Sequence, residues 1–575
     1  MRGRLGDGYA KALWAAHPHM NESADFVMYW WDRAADLLTR RGTKLRRFGF
    51  VTTNSITQEF SRRVMAARMK AKKPISLLMA IPDHPWTKAT RDAAAVRIAM
   101  TVAVAGKHDG VLREVVQEKS VDTDAPLVEL RDATGAINPD LTVGADVLAA
   151  TPLMANAFIC SNGMKPLGAG FILDAQQALA MGLGRRADAE RHIVPYRNGR
   201  DLTSRSRNCY ALDFFGLSSD QVRTSFPEAY QHLVVTVKPE REAAAERSQT
   251  RDAQEYAEKW WLFCKPRQEL RKFVDGLKRY IVTVQTAKHR VFQFFDPALM
   301  PDQKLMVFGL PDGAHLGVLS SRVHSAWTLR TCGWLGVGND SVYVKSRTFD
   351  PFPFPDASEP LKAQIRAVAE ELDAFRKARQ AEHPRLTLTQ MYNVLEKLRA
   401  GEPLDADDTR IRDEGLVLIL KELHDRLDAL VFDAYGWPRD LSDEDIIARL
   451  VALNKERARE EARGLIRWLR PDYQKARAGI ATAVQPEEAQ DSMALVVDAA
   501  KEQKPQFPAG EVERTAAIMA ALANASGTVD AAAIAAGFRQ GKRVEPPIQA
   551  TLASLVRMGF ASTPDGRSFM FRRVA

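Results

Sequence analysis

The sequence predicts an α/β protein made of an open sheet, a mixed α/β region, a helical region and a small winged-helix-like tail. Three observations predict it. Helix-like and β-prone runs alternate over residues 1–135. Short β-prone runs recur among basic, aromatic and glycine-bearing stretches over 136–356. Apolar residues at helical spacing then dominate 357–475.

The elements follow in order. Val27, Trp30, Trp31, Ala34 and Leu38 fall on one face of a helix over 24–39, and Gly42 stands where it would stop. FGFVTT (48–53) reads as a strand, 56–71 as a helix, ISLLMAI (75–81) as a strand and AAVRIAMTVAVAG (94–106) as a long one. The last strands of this sheet are expected to run antiparallel. Such a sheet normally opens with a strand and a glycine-rich turn, whereas this one opens with Gly/Arg-rich loop sequence. In the second region HLVVTV, RYIVTVQ, KLMVFGL and SVYVK read as strands, with a charged helix near 239–258. TFDPFPFPD, a proline–aromatic segment that cannot be helical, closes the region.

Over 357–475, Leu361, Ile365, Val368, Leu372 and Phe375 form one apolar seam. Further helices are expected near 387–399, 415–435 and 442–469. The seam is too short for a dimerising coiled coil, so a bundle packing on itself is expected. Residues 476–509 are polar and read as a linker. Residues 510–575 read as three helices and a hairpin at Pro564-Asp565-Gly566. Their basic residues include Arg539, Lys542, Arg543, Arg557, Arg572 and Arg573. Winged helices of this kind bind DNA or proteins.

Composition narrows the function. With 575 residues and 46% hydrophobic content, the chain can bury large cores. A net charge of +9 permits a polyanionic partner without specifying one. Cys160, Cys209, Cys264 and Cys332 are scattered, with no Cys-x-x-Cys pair, so neither a zinc site nor a disulfide framework is expected. His17 and His19 lack a carboxylate–histidine cluster around them, and no metal is expected. No apolar run is long enough for a membrane span, and MRGRLGDGYAKALWAAHPH has no apolar segment of a signal peptide. A cytoplasmic protein without a membrane partner is the expectation.

Several longer segments point further. ADFVMYWWDRAADLL, FGFVTTNSITQ, IPDHPW with AVRIAMTVAVAG, and AFICSNGMKPLGAGFILD occur in that order. They are followed by FPEAYQHLVVTVKPER through RYIVTVQTAKHRVFQF, and by HLGVLSSRVHSAWTLRTCGWLGVGNDSVYVKSRTFDPFPFP. LVFDAYGWP and ARGLIRWLRPDYQ complete the series. Together, over residues 1–475, they resemble the MmeI-like DNA adenine methyltransferase family, which is related to type IIG restriction-modification and phage-defence systems. The tail lies outside the matched segments.

The resemblance implies a partial Rossmann-like methyltransferase sheet at 1–135, a DNA target-recognition domain at 136–356 and a helical domain at 357–475. It implies methyl transfer from S-adenosylmethionine to the exocyclic amine of adenine in double-stranded DNA. The family's Asn-Pro-Pro-aromatic motif is not found: Asn138-Pro139-Asp140 lacks the second proline and the aromatic and reads as a turn. Gly6-Asp7-Gly8 has no preceding strand to make it a cofactor loop. No catalytic residue is therefore assigned, and binding of S-adenosylmethionine by this sequence alone is not expected. A start called too late, or a split or broken gene, would account for the missing motifs. In a split enzyme an upstream polypeptide would supply the missing half. The alternative is a non-enzymatic DNA-binding specificity subunit.

The implied DNA contacts follow from side-chain chemistry, arginine pairing with guanine and asparagine with adenine in the major groove. The candidates are Arg197, Arg200, Lys238, Arg241, Asn339, Lys345 and the cluster Lys288, His289 and Arg290. Trp86, in IPDHPW, is the candidate for stacking on an extruded adenine; packing against the recognition domain is the alternative.

Overall fold

The computed structural model describes residues 6–86, 97–119, 127–335, 340–481, 507–508, 511–524, 528–557 and 561–571, apart from 187, 205, 249, 564, 566 and 567. It has two units, Met1–Ser492 and Met493–Ala575.

The first unit begins with a five-stranded sheet. Its strands are β1 (Arg47–Thr53), β2 (Ile75–Pro85), β3 (Arg97–Ala105), β4 (Gly110–Lys119) and β5 (Leu127–Gly135), in the order β1-β3-β2-β4-β5. The antiparallel ending expected from the sequence is present: β3 runs between β1 and β2, antiparallel to both, while β2 pairs parallel with β4. Helices α1 (Val27–Thr39) and α2 (Glu59–Met69) pack Met28, Trp31, Leu38 and Met65 against Leu77, Ala99 and Ala103 of the sheet. Buried Asp32 ties the two helices together, accepting from Arg68 Nε at 2.6 Å and Nη2 at 2.8 Å. The β4–β5 hairpin is not foreshadowed by the sequence pattern. β5 is largely exposed, so its side chains carry little of the alternation that marks a half-buried strand.

A second sheet links the mixed region to the helices. It consists of β6 (Cys160–Asn162), β10 (Tyr280–Val284), β12 (Phe292–Phe295) and β14 (Leu305–Phe308), in the order β12-β10-β14-β6, all antiparallel. Successive residues of a strand face opposite sides, and here both sides are buried. Tyr280, Val282, Phe295, Leu305 and Val307 enter one core with Phe171, Leu212, Leu233 and Trp260. Ile281, Phe292, Phe294, Met306 and Phe308 enter another with Trp327, Ile365, Leu372, Leu420 and Leu427. Two-sided burial explains why RYIVTVQ and KLMVFGL are nearly continuous apolar runs. On the first side lies the sheet β13-β8-β9-β7, built from β7 (Ile172–Leu173), β8 (Ile193–Arg197), β9 (Cys209–Leu212) and β13 (Met300–Pro301).

HLVVTV departs from its sequence reading. It lies in helix α3 (Pro227–Thr236), not in a strand. Pro227 occupies the first turn, where its missing N–H costs nothing. Ala229, Leu233 and Val237, four residues apart, are all fully buried. Packing at helical spacing overrides the β-propensity of two adjacent valines. The charged helix read near 239–258 is two helices, α4 (Lys238–Arg247) and Arg251–Glu258. SVYVK contributes only to the short strand β16 (Asp340–Val342).

The helical region comprises α6 (Glu359–Glu382), α7 (Leu388–Ala400), α8 (Val417–Tyr435) and α9 (Asp443–Ala462), packed with α5 (Gly313–Ser320). The seam residues Ile365, Val368 and Leu372 are buried within this unit. α6 and α5 approach so closely that a Cβ on Gly317 would fall 2.5 Å from Ile365 Cγ2. α6 also covers the open edge of β12. Arg376 Nη2 donates to Phe292 O at 2.6 Å, Lys377 Nζ donates to Phe294 O at 2.8 Å, and Asp373 accepts from Phe294 N. Arg376 is fully buried and donates as well to the Tyr392 hydroxyl, which meets His424 Nε2 at 2.8 Å.

The second unit has its own core, formed by Ile518, Leu522, Ile534, Phe538, Ile548, Leu552, Leu555 and Phe569. No described helix is long and apolar enough to cross a membrane.

Burial drives the pKa of His315 down to about 4, and those of His324 and His424 down to about 3. In the unfolded chain these imidazoles titrate near pH 6.5. Below about pH 6.5 the unfolded chain takes up protons that the folded chain refuses, so stability is full above this pH and falls as the pH drops toward about 4. Urea midpoints for the full chain should therefore decline from neutral pH to about pH 4, the three imidazoles outweighing Asp428, whose carboxyl burial pushes up to about 6 and whose protonation acts in the opposite sense. A flat midpoint over that range would show that the buried imidazoles do not resist protonation.

Candidate nucleic-acid interface

A cleft of about 460 Å³ opens where β8, β10 and the loop after β11 (Thr286–Ala287) meet the start of α7. Arg200, Lys288, His289 and Lys304 line it, together with Asp302 and Asp340. Local sequence explains how Arg200 is presented. Asn198 caps the short helix Gly199–Thr203 by accepting from the backbone of Arg200 and Asp201. Asp201 returns the bond to the Asn198 N–H at 2.8 Å, which completes a capping box. The Arg200 side chain is exposed and makes no hydrogen bond or ion pair among the described residues. Lys304, also exposed, lies in the turn between β13 and β14.

Lys288 and His289 are held from the helical region. Both reach Asn393 Oδ1 on α7, Lys288 Nζ at 3.1 Å and His289 Nε2 at 2.7 Å, and Lys288 pairs with Glu396 at 2.8 Å. Burial lowers the pKa of His289, which favours the neutral ring. Neutral His289 and ion-paired Lys288 leave Arg200 as the cation best placed to meet an incoming anion.

Two of the sequence candidates are corrected by burial. Arg241 is 4% exposed, and its guanidinium donates to the carbonyls of Pro166, Leu167, Tyr256, Lys259 and Leu262 while lying 5.2 Å from the Phe171 ring centroid. It ties α4 to two loops and is not open to a phosphate. Arg290 also points inward. It donates to the carbonyls of Val284 and Ser341 and to Ser341 Oγ, stands over the Tyr343 ring, and has its pKa pushed down to about 10 by burial.

The other candidates lie off the cleft lining. Arg197 is half-buried and donates to Tyr196 O and Cys209 O. Lys238 starts α4, with Glu242 at 3.8 Å and the Trp260 ring beneath it. Lys345 is half-buried just past β16. Asn339 lies outside the described residues. Trp86 directly follows β2 and is 48% exposed. Lys304, Asp302 and Asp340 line the cleft but carry no sequence signal, since charged residues in turns are common on any surface.

Among the described residues, the first sheet offers no cradle for S-adenosylmethionine. No glycine-rich turn leads from a described strand into a helix there. The polar groups past β1 are engaged with one another: Ser55 Oγ donates to Asp25 at 2.5 Å, and Asn54 Nδ2 donates to Asp83 at 3.1 Å. The residues present do not fit the cofactor by themselves. Among the described residues, no group of three or more His, Cys, Asp or Glu could hold a metal ion.

No protein-family model and no curated protein matches the sequence. Among solved structures, the chain is similar to the Type IIL restriction-modification enzyme MmeI, solved in complex with DNA, with a TM-score of 0.60 and 18% identity. The match covers 79% of this chain and 55% of MmeI, so the chain spans about half the length of that enzyme. A second match, the type IIG restriction endonuclease BpuSI, has 11% identity over 68% of this chain and 47% of that one, and its TM-score of 0.21 carries no argument. The MmeI-like fold expected from the sequence is thus the fold of this chain.

Arg241→Ala should lower stability by at least about 3 kcal/mol, because several buried carbonyls lose a charged donor at once. Arg290→Ala should also destabilise, whereas Arg200→Ala should leave the melting temperature within about a degree of the parent. Differential scanning fluorimetry of the three variants separates these outcomes.

Proposed function

We propose that this chain is the DNA-recognising part of a restriction-modification enzyme that methylates adenine in double-stranded DNA. The observation that carries this reading is the cleft, where the Arg200 side chain has no partner among the described residues and lines the same walls as Lys288 and Lys304, in a fold shared with MmeI. Arginine presents a planar fork that pairs with guanine O6 and N7 or with a phosphate. Asp340, on the same wall, can accept from a cytosine amine. Two acidic groups among the cations favour reading base edges over a uniform phosphate grip.

S-adenosylmethionine would supply the methyl group, and the described residues of the first sheet do not form a site for it. On this reading the cofactor is held by other residues, for instance on a separate polypeptide. β1 fits that arrangement, since it pairs along only one edge among the described residues and exposes Val51. Trp86, exposed at the end of β2, is the surface we assign to the extruded adenine.

DNA binding by the chain should weaken linearly in log affinity against log salt. Arg200→Ala with Lys304→Ala should flatten that slope by about one to two if both meet phosphates, or relax base preference if they meet bases. Fluorescence anisotropy on a panel of duplexes reads both effects. Unchanged binding on every duplex would remove the cleft from the interface.

The chain alone should transfer no tritiated methyl group to genomic DNA and should give no heat with S-adenosylmethionine. With a polypeptide carrying the Asn-Pro-Pro-aromatic motif, transfer should appear. Trp86→Ala should then lower it sharply and suppress 2-aminopurine flipping, since base–aromatic stacking contributes about 1–3 kcal/mol. Turnover by the isolated chain would refute the proposed division of labour.

A further inference from the structure

The C-terminal unit carries a surface that the cleft does not explain. Its elements run α10 (Glu511–Asn524), β17 (Val529–Asp530), α11 (Ala531–Ala536), α12 (Glu545–Arg557), β18 (Ala561–Ser562) and β19 (Ser568–Phe571). The strands lie in the order β17-β19-β18. This is the topology of a winged helix, with α11, a turn and α12 as the helix-turn-helix. α12 buries Ile548, Leu552 and Leu555, so its opposite face, with Pro546, Ala550 and Arg557, is turned outward. The turn from Gly537 to Val544 presents Arg539 and Arg543, both exposed and neither ion-paired among the described residues.

Charge is concentrated on this half of the unit. From Arg539 to Ala575 the sequence holds seven Lys and Arg against two Asp and Glu. From Met493 to Phe538 it holds three against five. Among the described residues, Arg539 and Arg543 lie in the turn and Arg557 in the second helix, parts that approach DNA in helix-turn-helix proteins.

We propose that the C-terminal unit is a second double-stranded DNA contact, one that grips the backbone through Arg539, Arg543 and Arg557 and does not read sequence. Two features argue for a backbone grip. Bidentate base contacts are made by Arg, Lys, Asn and Gln; on the outward face of α12, Pro546, Ala550 and Ala553 supply none, and Gln549, half-buried, is already engaged within the chain, which leaves Arg557 in the last turn. Helix N-termini usually offer N–H groups to phosphates, but Pro546 and Pro547 remove two of those donors from the first turn. Phosphate contacts consequently fall to the arginine side chains. The proposal is independent of the cleft, which lies wholly in the first unit.

The test uses the full chain with Arg539→Ala and Arg543→Ala together, the matching Arg→Lys pair, and a variant ending at residue 492. Anisotropy is measured on two unrelated duplexes of about 30 bp between about 50 and 200 mM salt. Losing two phosphate contacts should reduce the salt slope by about 1.8, so the affinity ratio between the two salt concentrations shrinks about tenfold. The loss should be equal on both duplexes, restored by the lysine pair and matched or exceeded by the shortened chain. Unchanged slope and affinity in the alanine pair would overturn the proposal and leave this face to a protein partner. A loss confined to one duplex would overturn its sequence independence. The Arg200→Ala, Lys304→Ala variant, assayed alongside, shows whether the cleft reading stands or falls separately.

Discussion

The sheet β12-β10-β14-β6 bears cores on both faces, and most of the first unit depends on that. Antiparallel sheets commonly leave one face in water. This one gives alternate residues of β10 and β14 to two different cores, so each strand holds the mixed α/β layer and the helical layer at once. Its open edge at β12 is closed by charged side chains of α6 that bind the strand's backbone groups. A buried arginine is tolerated there because the carbonyl of Phe292 and the Tyr392 hydroxyl both accept from it.

The same network reaches the cleft. Tyr392, which receives Arg376, is the neighbour in α7 of Asn393, which holds Lys288 and His289. The loop at the cleft wall is thereby set by a helix whose own position is set by buried polar contacts. A cleft wall needs such support if its side chains are to be placed before a ligand arrives.

Much of the architecture is legible in the sequence because it rests on periodicity. The seam of α6, the strand FGFVTT and the reversed strand AAVRIAMTVAVAG each repeat a physical spacing. HLVVTV misleads because local propensity is weaker than a core that accepts Ala229, Leu233 and Val237 at helical intervals. The site is less legible. Arg200, Arg241 and Arg290 look alike as letters in basic, aromatic sequence. What separates them is which carbonyls come within reach once distant segments fold together: Arg241 meets Pro166 and Leu262, Arg290 meets Ser341, and the Arg200 side chain meets none among the described residues. Lys304 and Asp340 join the cleft by tertiary placement alone.

Two-sided burial also bears on how this scaffold would tolerate recombination. A cut after the proline–aromatic segment, at residue 356, would strip the helical cover from Ile281, Met306 and Phe308 and leave an apolar face in water. A graft that carried the cleft loops without α6, α7 and α8 would thus be expected to aggregate. Exchange of single side chains on the cleft wall leaves both cores intact. Change in this scaffold is accordingly easier by point substitution in loops than by shuffling of whole blocks.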